Sequence, residues 1–367
     1  MRSDAPLLVT EMLLRQTAGI TRGLAAPPTP LDERTWLETI RLASAHLVLP
    51  ALAPALADPG PGWTPAEDTR AYLETIARAN RDRNQHLRSS LTHISGQLGA
   101  AGIDAVAVKG AAFLAASADA APWRFLSDLD LIVAAADLEN AVGVLAAAGF
   151  VASREEYLPD RDAHAPPMLG PDGITVVELH SRPFAEGDWT ALETELWSEA
   201  RIVDIGGVEI RIPSPAVRVA YLALHSQSHH GYFADSRLLL RDLLDLAMLQ
   251  RESGLLDLEA AIRTVPELAR EGVLALLAAA GTFGLDCSGI IFAAPQCAWA
   301  ERARGRLSQP LLHRQLTATL SLAGAEAKRL LHDRKRTLRL AKSIARPSKL
   351  APKLLKKLAK LRNRTAG

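Results

Sequence analysis

The chain has 367 residues, of which 48% are hydrophobic and 23% charged, and its formal net charge is +1. This composition is typical of a globular protein with two or three domains. No apolar stretch reaches about 18 residues, which excludes a predicted transmembrane helix. The two cysteines, Cys287 and Cys297, have no partners at zinc-finger spacing, and the N-terminus lacks the composition of a signal peptide. We therefore expect a cytoplasmic protein.

The first hundred residues predict a helical region. Alanine and leucine recur at helical spacing over Trp36–Leu52. The segment Thr64-Pro65-Ala66-Glu67 is typical of a helix start, with Thr64 as the N-cap. The helix that follows is expected to continue through Leu98 and to end near Gly102.

Residues 101–213 predict a small unit that mixes strands and helices. Asp160–Pro171 is interpreted as a loop within this unit, and Gly206-Gly207 indicates the turn of a hairpin. The predicted strands are Ile103–Val108, Leu129–Val133 and Ile174–His180, the hairpin is Ile202–Ile212, and the predicted helices are Gly110–Ala118 and the segment from Asp137 to Gly149.

Residues 214–325 predict a second helical region, which Ser214 and Pro215 begin as N-cap and first helical residue. Breaks are expected near Gly231, Gly254, Pro266 and Gly281. The predicted fold class is α+β, with a small mixed β-sheet flanked by the helical regions 1–100 and 214–325.

The remaining residues, 326–367, predict a basic amphipathic tail. Residues 328–367 contain 15 Lys and Arg and one acidic residue, a formal charge of +14, so residues 1–327 carry −13. This pattern suits contact with an anionic membrane surface, RNA or an acidic partner. A solubilising tail that folds back on the acidic body is the alternative. On a helix, the leucines share one face with lysines around it: Leu350, Leu354, Leu355, Leu358 and Leu361, with Lys353, Lys356, Lys357 and Lys360.

Asp128 and Asp130 lie two residues apart in an otherwise apolar, strand-forming segment. Side chains at positions i and i+2 of a strand point to the same face, so the two carboxylates are expected to converge. Their repulsion is relieved most simply by a divalent metal ion. Glu178 lies in another apolar strand and is the predicted third metal ligand. Three such carboxylates are typical of two-metal phosphoryl or nucleotidyl transfer.

Four residues near this pair are predicted to hold phosphates. Gly110 directly follows a predicted strand, where it would allow the backbone to approach a phosphate at a helix N-terminus. Lys109 and Arg124 are candidate cations for the triphosphate. Ser127 is expected either to contact a phosphate oxygen or to orient an aspartate.

Together, the segments Lys109-Gly110, Ser127-Asp128-Leu129-Asp130-Leu131 and Glu178-Leu179-His180 resemble the nucleotidyltransferases of the DNA polymerase-β superfamily. More narrowly, they are similar to a bacterial nucleotidyltransferase family with the motifs K-G, R-x-x-S-D-h-D-h and E-h-H, where h is hydrophobic. The resemblance covers roughly residues 100–250. It implies a mixed sheet that carries the carboxylates, a nucleoside triphosphate with ATP as one candidate, and two Mg²⁺ ions with Mn²⁺ as the alternative.

The resemblance also implies an acceptor class and shows one departure. Members occur among biosynthetic gene clusters, so a specialised small-molecule, peptide or protein acceptor is expected. Many superfamily members have Gly-Ser or Gly-Gly in the phosphate loop, whereas this chain has Gly110-Ala111. The predicted function is transfer of a nucleoside monophosphate to a hydroxyl or phosphate, with Glu178 as base. A non-catalytic nucleotide-binding accessory protein and a kinase-like phosphotransferase are the alternatives.

Three histidines and two further aspartates complete the candidates. His180, His225 and His229 are expected either in the substrate cleft or in packing. His225 and His229 have the i, i+4 spacing of metal ligands, but no Glu follows the first His, which disfavours a zinc site. Asp242 and Asp245 lie in an apolar helix and are predicted to form salt bridges with Arg237 and Arg241 rather than to act in catalysis.

Overall fold

A computed structural model describes residues 5–20, 31–57, 64–152, 164–184 and 187–307. The predicted basic tail, residues 326–367, lies outside this range. The described residues belong to one compact unit, except for the short turn at 234–237, which falls in a second unit. The domain boundaries expected at residues 100, 213 and 325 stay predictions.

The described residues form twelve α-helices and seven β-strands. The helices are α1 Ala5–Thr17, α2 Glu33–Ala45, α3 Leu52–Ala55, α4 Glu67–Ala100, α5 Lys109–Ala116, α6 Leu138–Ala147, α7 Thr190–Ser198, α8 Pro215–Leu224, α9 Leu240–Ser253, α10 Leu258–Arg263, α11 Glu267–Phe283 and α12 Ala294–Leu307. The strands are β1 Ala105–Ala107, β2 Leu129–Val133, β3 Val151–Ala152, β4 Met168–Leu169, β5 Val176–His180, β6 Arg201–Ile205 and β7 Val208–Ile212.

The seven strands form one mixed sheet in the order β3-β4-β5-β2-β1-β7-β6. The central strand β2 runs parallel to β5 and antiparallel to β1, and β1 runs parallel to β7. The other neighbouring pairs are antiparallel. The predicted fold class, a mixed sheet with helices on its flanks, is confirmed.

The two faces of β2 are buried in different hydrophobic cores. Leu129, Leu131 and Val133 pack in a core with α4, α5 and α6. Ile132 belongs to a second core, which contains residues of the N-terminal helices α1 and α2 and of the C-terminal helices α8, α9 and α11. Because side chains alternate along a strand, Asp130 shares a face with Ile132 and faces the C-terminal helices.

Several predicted boundaries are confirmed. Strand β2 begins and ends at the predicted residues. Ser214 accepts a hydrogen bond from the backbone N–H of Val217 and so acts as the N-cap of α8, with Pro215 in the first turn. Gly206 and Gly207 both have positive φ in the hairpin between β6 and β7, as a two-residue turn of this kind requires.

Other local predictions are wrong. Helix α4 begins at Glu67 with Ala66 as its N-cap, and no side chain caps it, so Thr64 is not the cap. Gly281 lies inside α11, and the break expected near it falls at Gly284, the C-cap of this helix, where φ is +112°. The expected loop Asp160–Pro171 contains the short strand β4, whose partner β3 was not predicted either.

A buried ion pair joins the sheet region to α9. The guanidinium of Arg124 donates two hydrogen bonds of 2.9 Å to the carboxylate of Asp245, and both side chains are more than 90% buried. The predicted partner of Asp245 was wrong: the pair spans 121 residues of sequence rather than one turn of helix. Burial alone would lower the pKa of Arg124, but the adjacent Asp245 carboxylate raises it. Buried charges are tolerated when they are paired in this way.

Gly110 is required by this ion pair. A Cβ atom at position 110 would collide with the guanidinium of Arg124 and would lie 2.6 Å from Cδ2 of Leu126. The guanidinium cannot move aside cheaply, since Asp245 holds it through two bonds. Close packing therefore explains this glycine without any phosphate contact.

We expect Gly110→Ala to destabilise the protein by about 1–3 kcal/mol, because the added methyl group overpacks the site. Gly143→Ala is the matched control: Gly143 lies within α6, and a Cβ there would meet nothing within 4 Å. The control should stabilise the protein by about 0.5–1 kcal/mol, because alanine favours helix more than glycine does. Urea denaturation measures both changes, and equal effects of the two substitutions would contradict the assignment.

Candidate active site

A cleft of about 360 Å³ lies between the sheet, at the N-terminal end of β2 and the C-terminal end of β5, and the helices α8 and α9. All ten residues predicted for the site line this one cleft: Lys109, Gly110, Arg124, Ser127, Asp128, Asp130, Glu178, His180, His225 and His229. The carboxylates come from the sheet side and two of the histidines from the helical side, which gives the cleft walls of different chemistry.

Strand register explains why the two strand carboxylates converge. In the parallel pair β2–β5, Asp130 lies opposite Glu178, so their side chains project from the same face. One carboxylate oxygen of Asp130, one of Glu178 and one ring nitrogen of His180 lie within 4.8 Å of one another. Among the described residues, this is the group with a spacing that suits a metal ion. Asp128, which was predicted as a metal ligand, precedes β2 and is not part of this group, whereas His180 is.

Asp130 is the charge on which the cleft is organised. Its carboxylate is 97% buried, and its Oδ1 accepts hydrogen bonds from Nζ of Lys109 at 2.7 Å and from Nε2 of His180 at 3.0 Å. Burial alone would raise the pKa of Asp130, but Lys109 and His180 outweigh it and hold that pKa far below its usual value. Burial would likewise lower the pKa of Lys109, but the Asp130 carboxylate raises it. The two therefore form a charged pair.

The negative charges of Asp128 and Glu178 are offset by neighbouring cations less fully than the charge of Asp130 is. Burial raises the pKa of Asp128, and the charge of Asp130 raises it further. Burial also raises the pKa of Glu178, with added repulsion from Asp130 and Asp128. Three carboxylates thus repel one another in the same cleft, and Lys109 neutralises part of their charge. A divalent cation would relieve the remainder.

The backbone at Lys109 is unusual. Its φ of +49° lies in the left-handed region, which residues with a Cβ rarely adopt, and it begins α5 directly after β1. Such a conformation persists where the surrounding structure holds it, and it occurs preferentially at functional sites. Here it accompanies the ion pair between Lys109 and Asp130.

Two predicted phosphate ligands have protein partners. The Arg124 guanidinium is bound to Asp245, as described above, and its edge contributes to the cleft wall. The Ser127 hydroxyl donates a hydrogen bond to Asp128 and thereby lowers the pKa of that carboxyl. Ser127 was expected either to contact a phosphate or to orient an aspartate, and the observed hydrogen bond to Asp128 corresponds to the second role.

The histidines on the helical wall come from a π-helical turn, His225–His229, that continues α8. His225 and His229 stack with ring centroids 5.5 Å apart, and His230 meets His225 edge-on at 4.3 Å. Burial lowers the pKa of His225 well below its usual value, and the nearby charge of Lys109 lowers it further. These three rings do not form a metal group among the described residues.

Further residues line the cleft that the sequence did not assign to it, and His164, Arg182 and Asp242 are three of them. Arg182 follows Glu178-Leu179-His180 by two residues, and this proximity to a strand end was the available signal. His164 pairs with His180 in an isolated bridge, with ring centroids 5.5 Å apart, and it lies in a segment predicted as loop. Its position depends on strand pairing that the sequence did not indicate.

Asp242 is a buried carboxyl on the helical wall. Burial raises its pKa to about 6, with an opposing effect of Arg241 and an added effect of the Asp245 carboxylate. The Ser226 hydroxyl and Arg124 also lie near it and lower the pKa. Arg241 Nε lies 3.9 Å from Oδ1 of Asp242, too far for a hydrogen bond, so the predicted salt bridge is loose.

Asp242 should make the stability of the protein depend on pH. The carboxyl has an ordinary pKa of 3.8 when unfolded and about 6 when folded, so the folded state binds more protons between these values. The wild-type protein therefore loses roughly 3 kcal/mol of stability from this group as the pH rises through that interval. Asp242→Asn cannot ionise and escapes the loss.

The free energy of unfolding of Asp242→Asn, minus that of wild type, should therefore be roughly 3 kcal/mol larger at about pH 7.5 than at about pH 4. Urea denaturation of both proteins at the two pH values measures this difference. A relative stability that is the same at both would show that Asp242 ionises normally in the folded protein.

Comparison with known proteins gives the chain a family. None of the curated proteins matches it. A nucleotidyltransferase-like antigenic protein of known structure from Paracoccidioides brasiliensis is 18% identical, with a TM-score of 0.34 over 59% of this chain and 92% of its own. That likeness is too distant to bear on function. Residues 32–281, more than half of the chain, match the family described as uncharacterised nucleotidyltransferases. The chain therefore belongs to this family of nucleotidyltransferases.

Proposed function

We propose that the protein is a Mg²⁺-dependent nucleotidyltransferase that moves a nucleoside monophosphate from a nucleoside triphosphate to a hydroxyl or phosphate of an acceptor. The observation that carries the proposal is the group of Asp128, Asp130 and Glu178 on one cleft of a chain from a nucleotidyltransferase family. A small-molecule, peptide or protein acceptor fits equally well, and ATP is one candidate donor.

The residues present fit a divalent metal ion. Asp130 and Glu178 offer carboxylate oxygens, the ligands that Mg²⁺ and Mn²⁺ prefer, and His180 offers a ring nitrogen beside them. Asp128 adds a third carboxylate at the same end of the cleft. Bound there, Mg²⁺ would supply positive charge for the developing charge on the transferred phosphate and would acidify the attacking hydroxyl. We propose two such ions, with Asp128, Asp130 and Glu178 as ligands.

Lys109 is the residue we assign to the triphosphate. Its ammonium group now neutralises Asp130, at the N-terminus of α5, where backbone N–H groups favour anions. Arg124, held by Asp245, contributes positive potential to the cleft rather than a mobile contact. Arg182 lines the same cleft and is a further candidate for phosphate binding.

Glu178 suits the role of general base for the acceptor hydroxyl. Its side chain is partly exposed, at 26%, whereas that of Asp130 is 4% exposed, so an acceptor reaches Glu178 more easily.

A nucleotide-binding accessory protein without turnover is the second candidate, and the motif departure at Ala111 is the observation that favours it. Ala111 is fully buried and packs in the core beneath α5. It is not among the residues that line the cleft. Alanine at position 111 therefore removes no contact from the described cleft wall, and this favours an active nucleotidyltransferase over a non-catalytic binding protein.

Asp130→Asn should reduce nucleotidyl transfer by roughly a thousandfold, because it removes a charged metal ligand whose contribution is several kcal/mol. The assay follows transfer of the label from each of the four α-labelled nucleoside triphosphates to candidate acceptors with Mg²⁺, together with the pyrophosphate released, and product masses are determined. An added nucleoside monophosphate supports the proposal, and an added phosphate would identify a kinase-like enzyme instead.

Asp104→Asn is the matched control for this substitution. Asp104 is an exposed carboxylate that pairs with Arg211 at 3.2 Å and does not line the cleft. The control variant should retain wild-type activity. Wild-type activity of Asp130→Asn would show that the carboxylate group is not the reaction centre.

A further inference from the structure

The helical wall of the cleft carries a continuous set of aromatic rings. The ring centroid of His229 lies 5.5 Å from that of His225, 5.3 Å from that of His230 and 5.8 Å from that of Phe184. All four residues line the same cleft as the carboxylates. His229 and His230 are exposed, whereas Phe184 is buried behind them. The wall thus presents two imidazole rings to the cleft on a buried aromatic support.

Several contacts hold this aromatic wall in place. Phe184 packs against Trp189 at 4.8 Å and against Tyr221 at 5.1 Å between ring centroids. The Tyr221 hydroxyl donates a hydrogen bond of 3.2 Å to the carbonyl of Pro183. The π-helical turn, an uncommon element that often occurs at functional sites, places His229 beside Phe184 and His225 beside His229.

The chemistry of this wall favours a flat, uncharged ring as its ligand. The three imidazoles do not form a metal group among the described residues. His225 is kept neutral by burial and by the charge of Lys109, which disfavours a dedicated phosphate site at its ring. Imidazole and phenyl rings stack readily on nucleobases, whatever the base.

We propose that His229 and His230, supported by His225 and Phe184, form the surface on which the base of the nucleoside triphosphate stacks. This inference rests on the proposed function. Lys109 and the carboxylates of Asp128, Asp130 and Glu178 come from the sheet side of the same cleft, where the triphosphate would be held. The donor nucleotide would then bridge the two walls, with its base on the helices and its phosphates at the sheet.

The test compares two probes that differ in the presence of a nucleoside. Binding of α,β-methylene ATP and of inorganic tripolyphosphate, each with Mg²⁺, is measured by calorimetry for wild type and for a variant with His229→Ala and His230→Ala. We expect the variant to bind the nucleotide about tenfold or more weakly and tripolyphosphate as wild type does. A second variant, His229→Phe with His230→Phe, keeps the rings and should retain nucleotide binding.

His93→Ala is the matched control, since His93 is an exposed histidine of α4 that does not line the cleft. Equal losses for both probes would identify a phosphate site, and unchanged nucleotide binding in the alanine variant would also overturn the proposal. So would a wild type that binds the nucleotide no better than tripolyphosphate. Failure of the proposed function is separate: base-dependent binding together with full transfer activity of Asp130→Asn would leave the stacking surface valid and the metal centre wrong.

Discussion

The structure depends on one buried carboxylate in the centre of its sheet. Asp130 lies on the middle strand, almost entirely out of water, so its charge requires cationic partners. Lys109 and His180 donate hydrogen bonds to the same oxygen. Strands β1 and β5 flank β2: His180 is the last residue of β5, and Lys109 lies two residues beyond the end of β1. The left-handed backbone at Lys109 and the parallel pairing of β2 with β5 both serve this arrangement. The negative charges of Asp128 and Glu178 remain only partly neutralised, and this favours binding of a metal cation in the cleft.

A second buried charge pair, Arg124 with Asp245, fixes the helical wall of the cleft against the sheet wall. Gly110 provides the space that this pair needs. Because α9 is tied to the segment that leads into β2, the aromatic wall and the carboxylates are held on facing sides of one cleft. Structural and chemical roles therefore coincide in the same short stretch of sequence, from Arg124 to Asp130.

The parts of the site that follow from local periodicity could be predicted. The bounds of strand β2 follow from its apolar, strand-forming residues, and the capping role of Ser214 follows from the chemistry of helix N-termini. What depends on distant pairing could not be predicted. The partner of Asp245, the packing reason for Gly110 and the place of His180 beside Asp130 all arise from segments brought together only by the fold. The prediction for Thr64 failed for a local reason. The segment has the residues of a capping motif, but α4 begins at Glu67, with Ala66 as its N-cap.

The central claim is that Asp130 and Glu178 hold a divalent metal ion for nucleotidyl transfer. Anomalous scattering from crystals grown with Mn²⁺ and α,β-methylene ATP tests it most directly. We predict a manganese peak about 2.0–2.2 Å from carboxylate oxygens of both residues, with the Lys109 ammonium moved from Asp130 toward the phosphates. Crystals that contain the nucleotide but no manganese at these carboxylates, with Lys109 still bound to Asp130, would contradict it.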